Sequence, residues 1–138
     1  MITLLYAAIL GLLSVLLANQ VLYVRLRGGE EEKWRSNATE RAQANFVENV
    51  PLALIILFIF EYSSSSNGLI HVFGILLVLF RLLHAWGMSK NEGANYPRLI
   101  GAQGTFLLIS IMSFASIILY FIWGEYRNIM FKCNFFNW

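Results

Sequence analysis

The chain has 138 residues, of which 58% are hydrophobic and 13% are charged. Average proteins carry about a quarter charged residues, so this composition excludes a disordered chain, a collagen-like chain and a soluble multidomain enzyme. The formal net charge of +2 and the single cysteine further exclude a basic stripe for nucleic acid, an internal disulfide framework and a cysteine-clustered metal site.

The first predicted element is a transmembrane helix at about residues 2–24. This run carries no charged residue, and at about 1.5 Å per residue it is long enough to cross a bilayer. Its start has no basic residue, unlike a cleaved signal peptide, so we expect the run to remain in the protein. Small residues recur at spacings of four, three and four, and we expect the face that they form to pack against another helix: Ala7, Gly11, Ser14 and Ala18.

A polar segment at residues 25–40 follows the first helix and is predicted to be a solvent-exposed loop. The second helix should begin near Asn37 or Thr39, because both are residue types that are preferred at the N-cap. The apolar residues that follow extend this helix to about residue 62.

The first half of the second helix is unusually polar for a transmembrane segment. Arg41, Asn45 and Glu48 lie at positions i, i+4 and i+7 and therefore share one helix face. Pro51 follows about one turn later and is expected to kink the helix. This polar face is the first candidate for a functional site.

Two further transmembrane helices are predicted at about residues 69–87 and 97–123. The serine-rich turn at 63–68 makes the second and third helices antiparallel neighbours. The third helix carries Arg81 and His84 near its end, and a polar loop leads from it to the fourth helix.

The sequence thus predicts a single all-α membrane domain, a bundle of four transmembrane helices with up-down topology, followed by a tail at residues 124–138.

Seven Lys and Arg residues lie in or beside the first and third loops, against two after the fourth helix. The positive-inside rule therefore predicts that these loops lie in the cytoplasm and that both termini lie outside it.

The polar residues of the second, third and fourth helices should meet at one depth below the cytoplasmic surface. An ionisable side chain at that depth costs at least about 2.5 kcal/mol, so it should face a partner or a wet cavity. One interpretation is a buried Glu48–Arg81 ion pair that joins two helices. The other is a polar cavity whose surplus of cations favours an anionic ligand. The cavity would be lined by Arg41, Asn45, Glu48, Arg81, His84 and Arg98.

Two segments of the chain together resemble the motifs of a known family. Residues 41–48 read RAQANFVE and are followed by Pro51. Residues 81–87 read RLLHAWG, and Arg98 opens the next helix. Both segments resemble motifs of the membrane-associated proteins in eicosanoid and glutathione metabolism, the MAPEG family. The resemblance covers nearly the whole chain, because the number of helices, the loop lengths and the polar first loop also agree.

The resemblance implies a homotrimer of four-helix protomers, with glutathione bound between adjacent subunits on the cytoplasmic side. It implies that Arg98 lies near the glutathione sulfur and is the catalytic residue. The glutathione-binding residues that it implies are Arg41, Gln43, Asn45, Glu48, Arg81 and His84, with Arg25 or Arg27 contributed by the neighbouring subunit.

The chain is more similar to the short bacterial branch of the family, because His84 and Met88 stand where eukaryotic members have tyrosines. The resemblance implies an enzyme of the glutathione transferase or peroxidase type, which activates the glutathione thiolate against lipophilic electrophiles. The alternative is a non-enzymatic membrane scaffold of the same fold that binds lipid or glutathione. Either protein is expected in the bacterial inner membrane, with lipid and further copies of itself as partners and without nucleic acid.

Two other functional classes fit the sequence less well. A small proton-coupled multidrug transporter needs a membrane-embedded acid, usually in the first span, and this span has none. A purely structural membrane protein would explain the small residues of the first helix but not the arginines at the cytoplasmic side.

Overall fold

The computed structural model describes residues 1–27, 33–63, 66–90, 93 and 95–135, and these ranges contain α-helices and no strand. Each of the four helices is long and apolar enough to cross a membrane. The protein is therefore an integral, multi-pass bundle of four helices, which confirms the predicted fold class. The helices are α1 (Thr3–Leu26), α2 (Lys33–Ser63), α3 (Asn67–Lys90) and α4 (Tyr96–Phe135).

The start of α2 differs from the prediction. The helix begins at Lys33, so residues 33–40 are helical and the predicted loop at 25–40 is wrong over this stretch. The hydroxyl of Thr39 donates to the carbonyl oxygen of Arg35 at 2.7 Å. Such a bond to the residue four positions earlier is one that threonine makes inside a helix, not at an N-cap.

The other helices also extend further than predicted. α2 continues through Pro51 without a break, and α3 continues to Lys90. α4 runs to Phe135, so most of the predicted tail at 124–138 continues the last helix. Residues 136–138 lie outside the described residues.

α2 and α3 form the centre of the bundle. α1 packs against both of them, and α4 also packs against both, whereas α1 and α4 make no contact with each other within the described residues. The two outer helices therefore lie on opposite sides of the central pair. α1 ends and α4 begins at the same end of the bundle, and we call this end the basic end. Among the largest fully buried side chains of the described residues, that of Arg81 is charged. The others are Leu10, Leu57, Ile70, Leu77, Thr105 and Met112.

Glycines bring α3 and α4 into close contact at the basic end. A Cβ atom added at Gly101 would lie 2.5 Å from the backbone nitrogen of His84, and one added at Gly87 would overlap the backbone of Arg98. Neither space admits a side chain, so the two helices approach backbone to backbone, as small residues allow in membrane proteins. This contact fixes Arg98 on the turn of α4 that faces the end of α3.

The opposite end of the bundle ties α1 to its neighbours. The carboxylate of Glu61, near the end of α2, accepts hydrogen bonds from the backbone N–H groups of Ile2 and Thr3. These groups belong to the start of α1, where a helix leaves its N–H groups without an internal partner. On α3, Nδ1 of His71 lies 2.8 Å from the Tyr6 hydroxyl. Polar contacts therefore hold α1 to both central helices at this end.

Candidate functional site

The candidate site is centred on a buried arginine between α2 and α3. Arg81 is 1% exposed, and its Nη1 donates to Oδ1 of Asn45 at 2.9 Å and to the Asn45 carbonyl oxygen at 3.4 Å. Its Nε and Nη2 atoms are also buried, but they have no hydrogen-bond partner among the described residues. The structure thus leaves two donors of a buried cation unsatisfied, which is the arrangement that a carboxylate ligand would complete.

The predicted Glu48–Arg81 ion pair is wrong. Glu48 is exposed, and none of the ion pairs among the described residues joins it to Arg81. The ion pair does not form because Glu48 and Arg81 lie at different heights along the helix axes. Asn45 occupies the level of Arg81 on α2, and Glu48 lies three residues, or about 4.5 Å, further along the axis. An amide oxygen therefore takes the contact that the carboxylate was expected to make.

His84 and Arg98 lie beside Arg81 at the basic end. His84 is buried one turn after Arg81 on α3, and its backbone contacts Gly101 of α4. Both Arg81 and Arg98 are near enough to His84 to interact with it electrostatically. Three nitrogen-rich side chains from two helices therefore share one region, which is electropositive and suited to an anion.

Asn95, which is not among the predicted site residues, holds the start of α4 in place. Its Oδ1 accepts a hydrogen bond from the backbone N–H of Arg98 at 3.0 Å, and its Nδ2 donates to the carbonyl oxygen of Gly87 at 2.6 Å. Asn95 is therefore the N-cap of α4 and also binds α4 to the end of α3. The sequence signal was present, because asparagine directly before a helix is a preferred N-cap.

The remaining predicted residues of α2 lie on two different faces. Arg41 and Glu48 are exposed and share the face of Asn45. Gln43 lies two positions from Arg41, about 200° around the helix, and its buried Oε1 has no hydrogen-bond partner among the described residues. The structure therefore groups Arg41, Asn45 and Glu48 but places Gln43 on another side of α2.

The two arginines at the end of α1 have partners within the same chain. Arg25 forms an ion pair with Glu40 at 3.0 Å, and the guanidinium of Arg27 lies 4.7 Å from the centre of the Tyr23 ring. Both arginines are exposed, and neither contact brings them to Arg81.

A second feature is an apolar cleft of about 250 Å³ between α1 and α2. A Cβ atom added at Gly11 would meet nothing within 4 Å, so none of the described helices of this chain packs against α1 at Gly11. The cleft is lined by three of these small residues and by α2 residues that include the proline: Ala7, Gly11, Ser14, Phe46, Val50 and Pro51.

The chain matches known proteins over most of its length. The sequence model of the MAPEG family matches residues 3–118, a range that contains every residue of the candidate site. The inner membrane protein YecN of Escherichia coli K12 is 28% identical over 98 residues, which cover 66% of this chain and 72% of the relative. YecN from a second Escherichia coli strain, CFT073, matches to the same extent.

Proposed function

The chain belongs to the MAPEG family, and from that membership we propose that it binds glutathione and directs the thiolate at lipophilic electrophiles. The family match confirms the resemblance seen in the two motifs. The observation that carries the proposal is the buried guanidinium of Arg81, because it is held by Asn45 and keeps two donors without a partner among the described residues. Glutathione carries two carboxylates, and a carboxylate is the best partner for a guanidinium.

Residues around Arg81 would hold the rest of the peptide. Arg41 lies on the same face of α2 as Asn45 and is exposed, so it is available to the second carboxylate. Glu48 has the charge that suits the ammonium group. His84 adds a further polar contact at the α3 side. Each end of the peptide would therefore meet a group of opposite charge.

Arg98 is the proposed catalytic residue. Glutathione, when bound, supplies a thiol, which is a good nucleophile only as the thiolate. A guanidinium beside the sulfur favours the thiolate, and it stabilises negative charge without moving during the reaction. Asn95 and Gly87 fix the backbone of Arg98, so the cation is positioned before the ligand arrives.

A second copy of the chain would complete the site. We propose a homotrimer in which the apolar cleft beside Gly11 receives a helix of a neighbouring subunit. In that assembly Arg25 or Arg27 would reach the glutathione of the adjacent subunit, and Gln43 would face the same boundary. Arg25, Arg27 and Gln43 lie away from Arg81 within one chain, and this position supports a role for them between protomers.

The basic end is proposed to face the cytoplasm. Seven Lys and Arg residues in or beside the first and third loops oppose two at residues 127 and 132, beyond the apolar span of α4. Both termini would then lie outside the cytoplasm. The relative YecN is named as an inner membrane protein, and we propose the same membrane for this chain. Cytoplasmic glutathione would approach the basic end from the water, whereas the electrophile would arrive through the lipid.

The second candidate function is a non-enzymatic scaffold that binds lipid or glutathione. The apolar cleft between α1 and α2 favours it, since its volume of about 250 Å³ and its apolar walls suit an acyl chain. The two functions differ in whether a covalent bond forms.

Calorimetric titration of glutathione into the detergent-purified protein tests binding. We expect saturable binding, and similar binding of a glutathione analogue in which a methyl group replaces the thiol. Conjugation of glutathione to an aryl chloride then tests catalysis, since a thioether forms and chloride leaves. Binding without conjugation would select the scaffold, and no binding would overturn both glutathione proposals.

A further inference from the structure

An amide side chain lies on the outer side of α4, within its apolar span. Gln103 belongs to the span Tyr96–Ile122 and is exposed. It lies about 200° around the helix from Gly101, which packs on α3, so it faces away from the bundle. Its amide has no hydrogen-bond partner among the described residues. Because an amide without a partner is costly in hydrocarbon, this face of α4 favours contact with another polar group.

A second amide without a partner lies on the α1 side of α2. Gln43 precedes Val47 by four residues and Val50 by seven, so the three share one helix face. Val47 and Val50 line the apolar cleft between α1 and α2, and Gln43 therefore lies at the border of that cleft nearest the basic end. Its Oε1 is buried and has no hydrogen-bond partner among the described residues.

The walls of the cleft carry two further groups that can accept a hydrogen bond. Pro51 has no N–H group, so it gives no helical hydrogen bond to the carbonyl oxygen of Val47. The hydroxyl of Ser14, on the α1 wall, has no partner among the described residues either. A partner that fills this cleft should therefore be apolar and should carry a hydrogen-bond donor. The outer face of α4 has this composition, because the exposed residues around Gln103 are Leu99, Ile100, Phe106 and Leu107.

Contacts with α3 determine the depth of Gln103 in the bundle. Gln103 lies between Gly101 and Gly104 along α4. A Cβ atom added at Gly101 would meet the backbone of His84, and one added at Gly104 would meet the ring of Phe80. Gln103 therefore lies at the level of the α3 turn between these two residues.

Gln43 lies at nearly the same depth. Asn45, two residues further along α2, contacts Arg81, which belongs to that turn of α3. Two residues of helix span about 3 Å, so Gln43 and Gln103 share a depth to within about one helical turn. The common depth matters because subunits related by rotation about the membrane normal keep every residue at its own depth. Copies of the two amides can therefore meet in a ring of subunits.

We propose that the outer face of α4 of a second copy fills the cleft, and that Gln103 pairs there with Gln43. Nε2 of Gln103 would donate to Oε1 of Gln43, since each amide can donate and accept. α1 and α4 lie on opposite sides of the central pair, so the contact is head-to-tail, and its repetition by rotation closes a ring. Gln43 would thus bind the neighbouring subunit and not the peptide. The pairing rests on the proposed homotrimer, so the mass of the detergent-purified parent protein is measured first.

Cross-linking in membranes tests the contact. In a Cys133→Ser background, Gln43→Cys and Gln103→Cys are combined in one chain and treated with a short bifunctional thiol reagent, because paired glutamines lie further apart than a disulfide spans. We expect covalently linked dimers and trimers. Each single-cysteine variant should give none, because the contact joins two different faces. The matched control combines Gln43→Cys with Ser110→Cys and should not cross-link, since Ser110 is exposed on the same face of α4 about 10 Å further along the axis.

A double-mutant cycle tests the hydrogen bond itself. Gln43→Leu and Gln103→Leu should each weaken association about threefold per contact, measured by sedimentation equilibrium in detergent, which is the effect of an average interhelical hydrogen bond in a membrane. The double variant should lose no more than either single variant, because one change already removes the bond. Ser110→Ala should associate like the parent, since the Ser110 hydroxyl donates within α4, to the Phe106 carbonyl.

Several results would overturn the pairing. Equal cross-linking of the Gln103→Cys and Ser110→Cys combinations would show that α4 has no fixed depth against the cleft. Cross-linking of a single-cysteine variant would indicate contact between identical faces. Additive losses in the cycle would show that the amides do not pair, and loss of glutathione binding in Gln43→Leu alone would assign Gln43 to the peptide.

The mass of the parent protein separates this contact from the proposed assembly. A trimeric parent whose Gln43→Cys and Gln103→Cys combination fails to cross-link would overturn the pairing and leave the homotrimer. A monomeric parent would overturn both. Glutathione binding by the parent is a separate measurement, so its failure leaves the test of the contact unchanged.

Discussion

Arg81 on α3 and Asn45 on α2 are joined by a hydrogen bond of 2.9 Å between Nη1 and Oδ1. The bond connects the two central helices at the level of the candidate site, and it fixes the plane of a guanidinium that is 1% exposed. Nε and Nη2 have no partner among the described residues. The contact therefore joins the two helices, while two donors of the same buried guanidinium stay without a partner among the described residues.

The first prediction separates stability from binding at this pair. Arg81→Met should fold with unchanged or higher thermal stability, since an incompletely paired buried charge is replaced by an apolar chain of similar length. Glutathione binding should be lost. Asn45→Leu should lower the free energy of unfolding by about 1–3 kcal/mol, because it leaves another buried donor unpaired. The matched control is Asn49→Ala, because Nδ2 of Asn49 donates within α2, to the Asn45 carbonyl. A strongly destabilised Arg81→Met would show that the guanidinium is structural.

The second prediction concerns the exposed arginine of the same face. Arg41→Ala should weaken glutathione binding by about 1.5–3 kcal/mol, the range for a hydrogen bond to a charged group. Thermal stability without glutathione should not change, because Arg41 is exposed. Lys90→Ala is the control for a general loss of positive charge. Calorimetry that gives the same affinity for Arg41→Ala and the parent would remove Arg41 from the site.

The third prediction concerns the position of Arg98. Asn95→Ala removes both the N-cap of α4 and the bond to Gly87, so it should cost about 0.5–2 kcal/mol of stability. Asn95→Asp keeps the capping oxygen and loses the donor to Gly87. Asn95→Asp should also lose stability, because a carboxylate oxygen replaces the donor beside the Gly87 carbonyl. If the bond to α3 positions Arg98, the folded variant should show a lower kcat for conjugation with little change in KM for glutathione.

Arg98→Ala provides the reference for that comparison. It should lower kcat more strongly than Asn95→Asp, and it should raise the thiol pKa of bound glutathione, followed as thiolate absorbance against pH. Parental activity in Arg98→Ala would exclude Arg98 as the catalytic residue.

The fourth prediction concerns the close approach of α3 and α4. Gly101→Ala places a Cβ atom against the backbone of His84, so the helices must separate, at a cost of about 1–3 kcal/mol. Gly68→Ala is the control, because a Cβ atom there meets nothing within 4 Å. Thermal unfolding in detergent should distinguish the two variants, and equal midpoints would contradict the packing described.

The fifth prediction concerns orientation. In a Cys133→Ser background, Ser36→Cys at the basic end should resist a membrane-impermeant thiol reagent in intact cells. Tyr62→Cys at the opposite end, where the side chain is 87% exposed, should react. Both positions should react after the cells are opened. The reverse pattern in intact cells would place the basic end outside the cytoplasm.

The sequence predicted the four spans from the length of its apolar runs, and it predicted the polar face of α2 from helical periodicity. An uncharged run of 23 residues has few ways to fold other than a transmembrane helix, and the i, i+4, i+7 spacing of Arg41, Asn45 and Glu48 fixes their common face. The start of α2 was wrong because Asn37 and Thr39 are good N-caps by residue type, whereas here they lie inside a helix. Residue type alone does not distinguish those two positions.

The spacing of residues along the sequence could not predict the contacts of Arg81. Charge complementarity favoured Glu48, but the relative height of α2 and α3 decides which residue faces the guanidinium, and that height depends on packing between helices. The link from Asn95 to Gly87 is similar, because it requires the end of α3 and the start of α4 to be placed together. Whether Arg25 or Arg27 acts in the neighbouring subunit's site stays a prediction.

The contact of Glu61 with the start of α1 bears on how this chain enters the bilayer. The N–H groups of Ile2 and Thr3 find their acceptor on a residue 58 positions beyond Thr3, and in hydrocarbon an unpaired backbone donor costs several kcal/mol. Within α1 alone, these two N–H groups therefore have no acceptor that could replace water. The helical hairpin of α1 and α2 is therefore the smallest unit in which these two N–H groups have a protein acceptor.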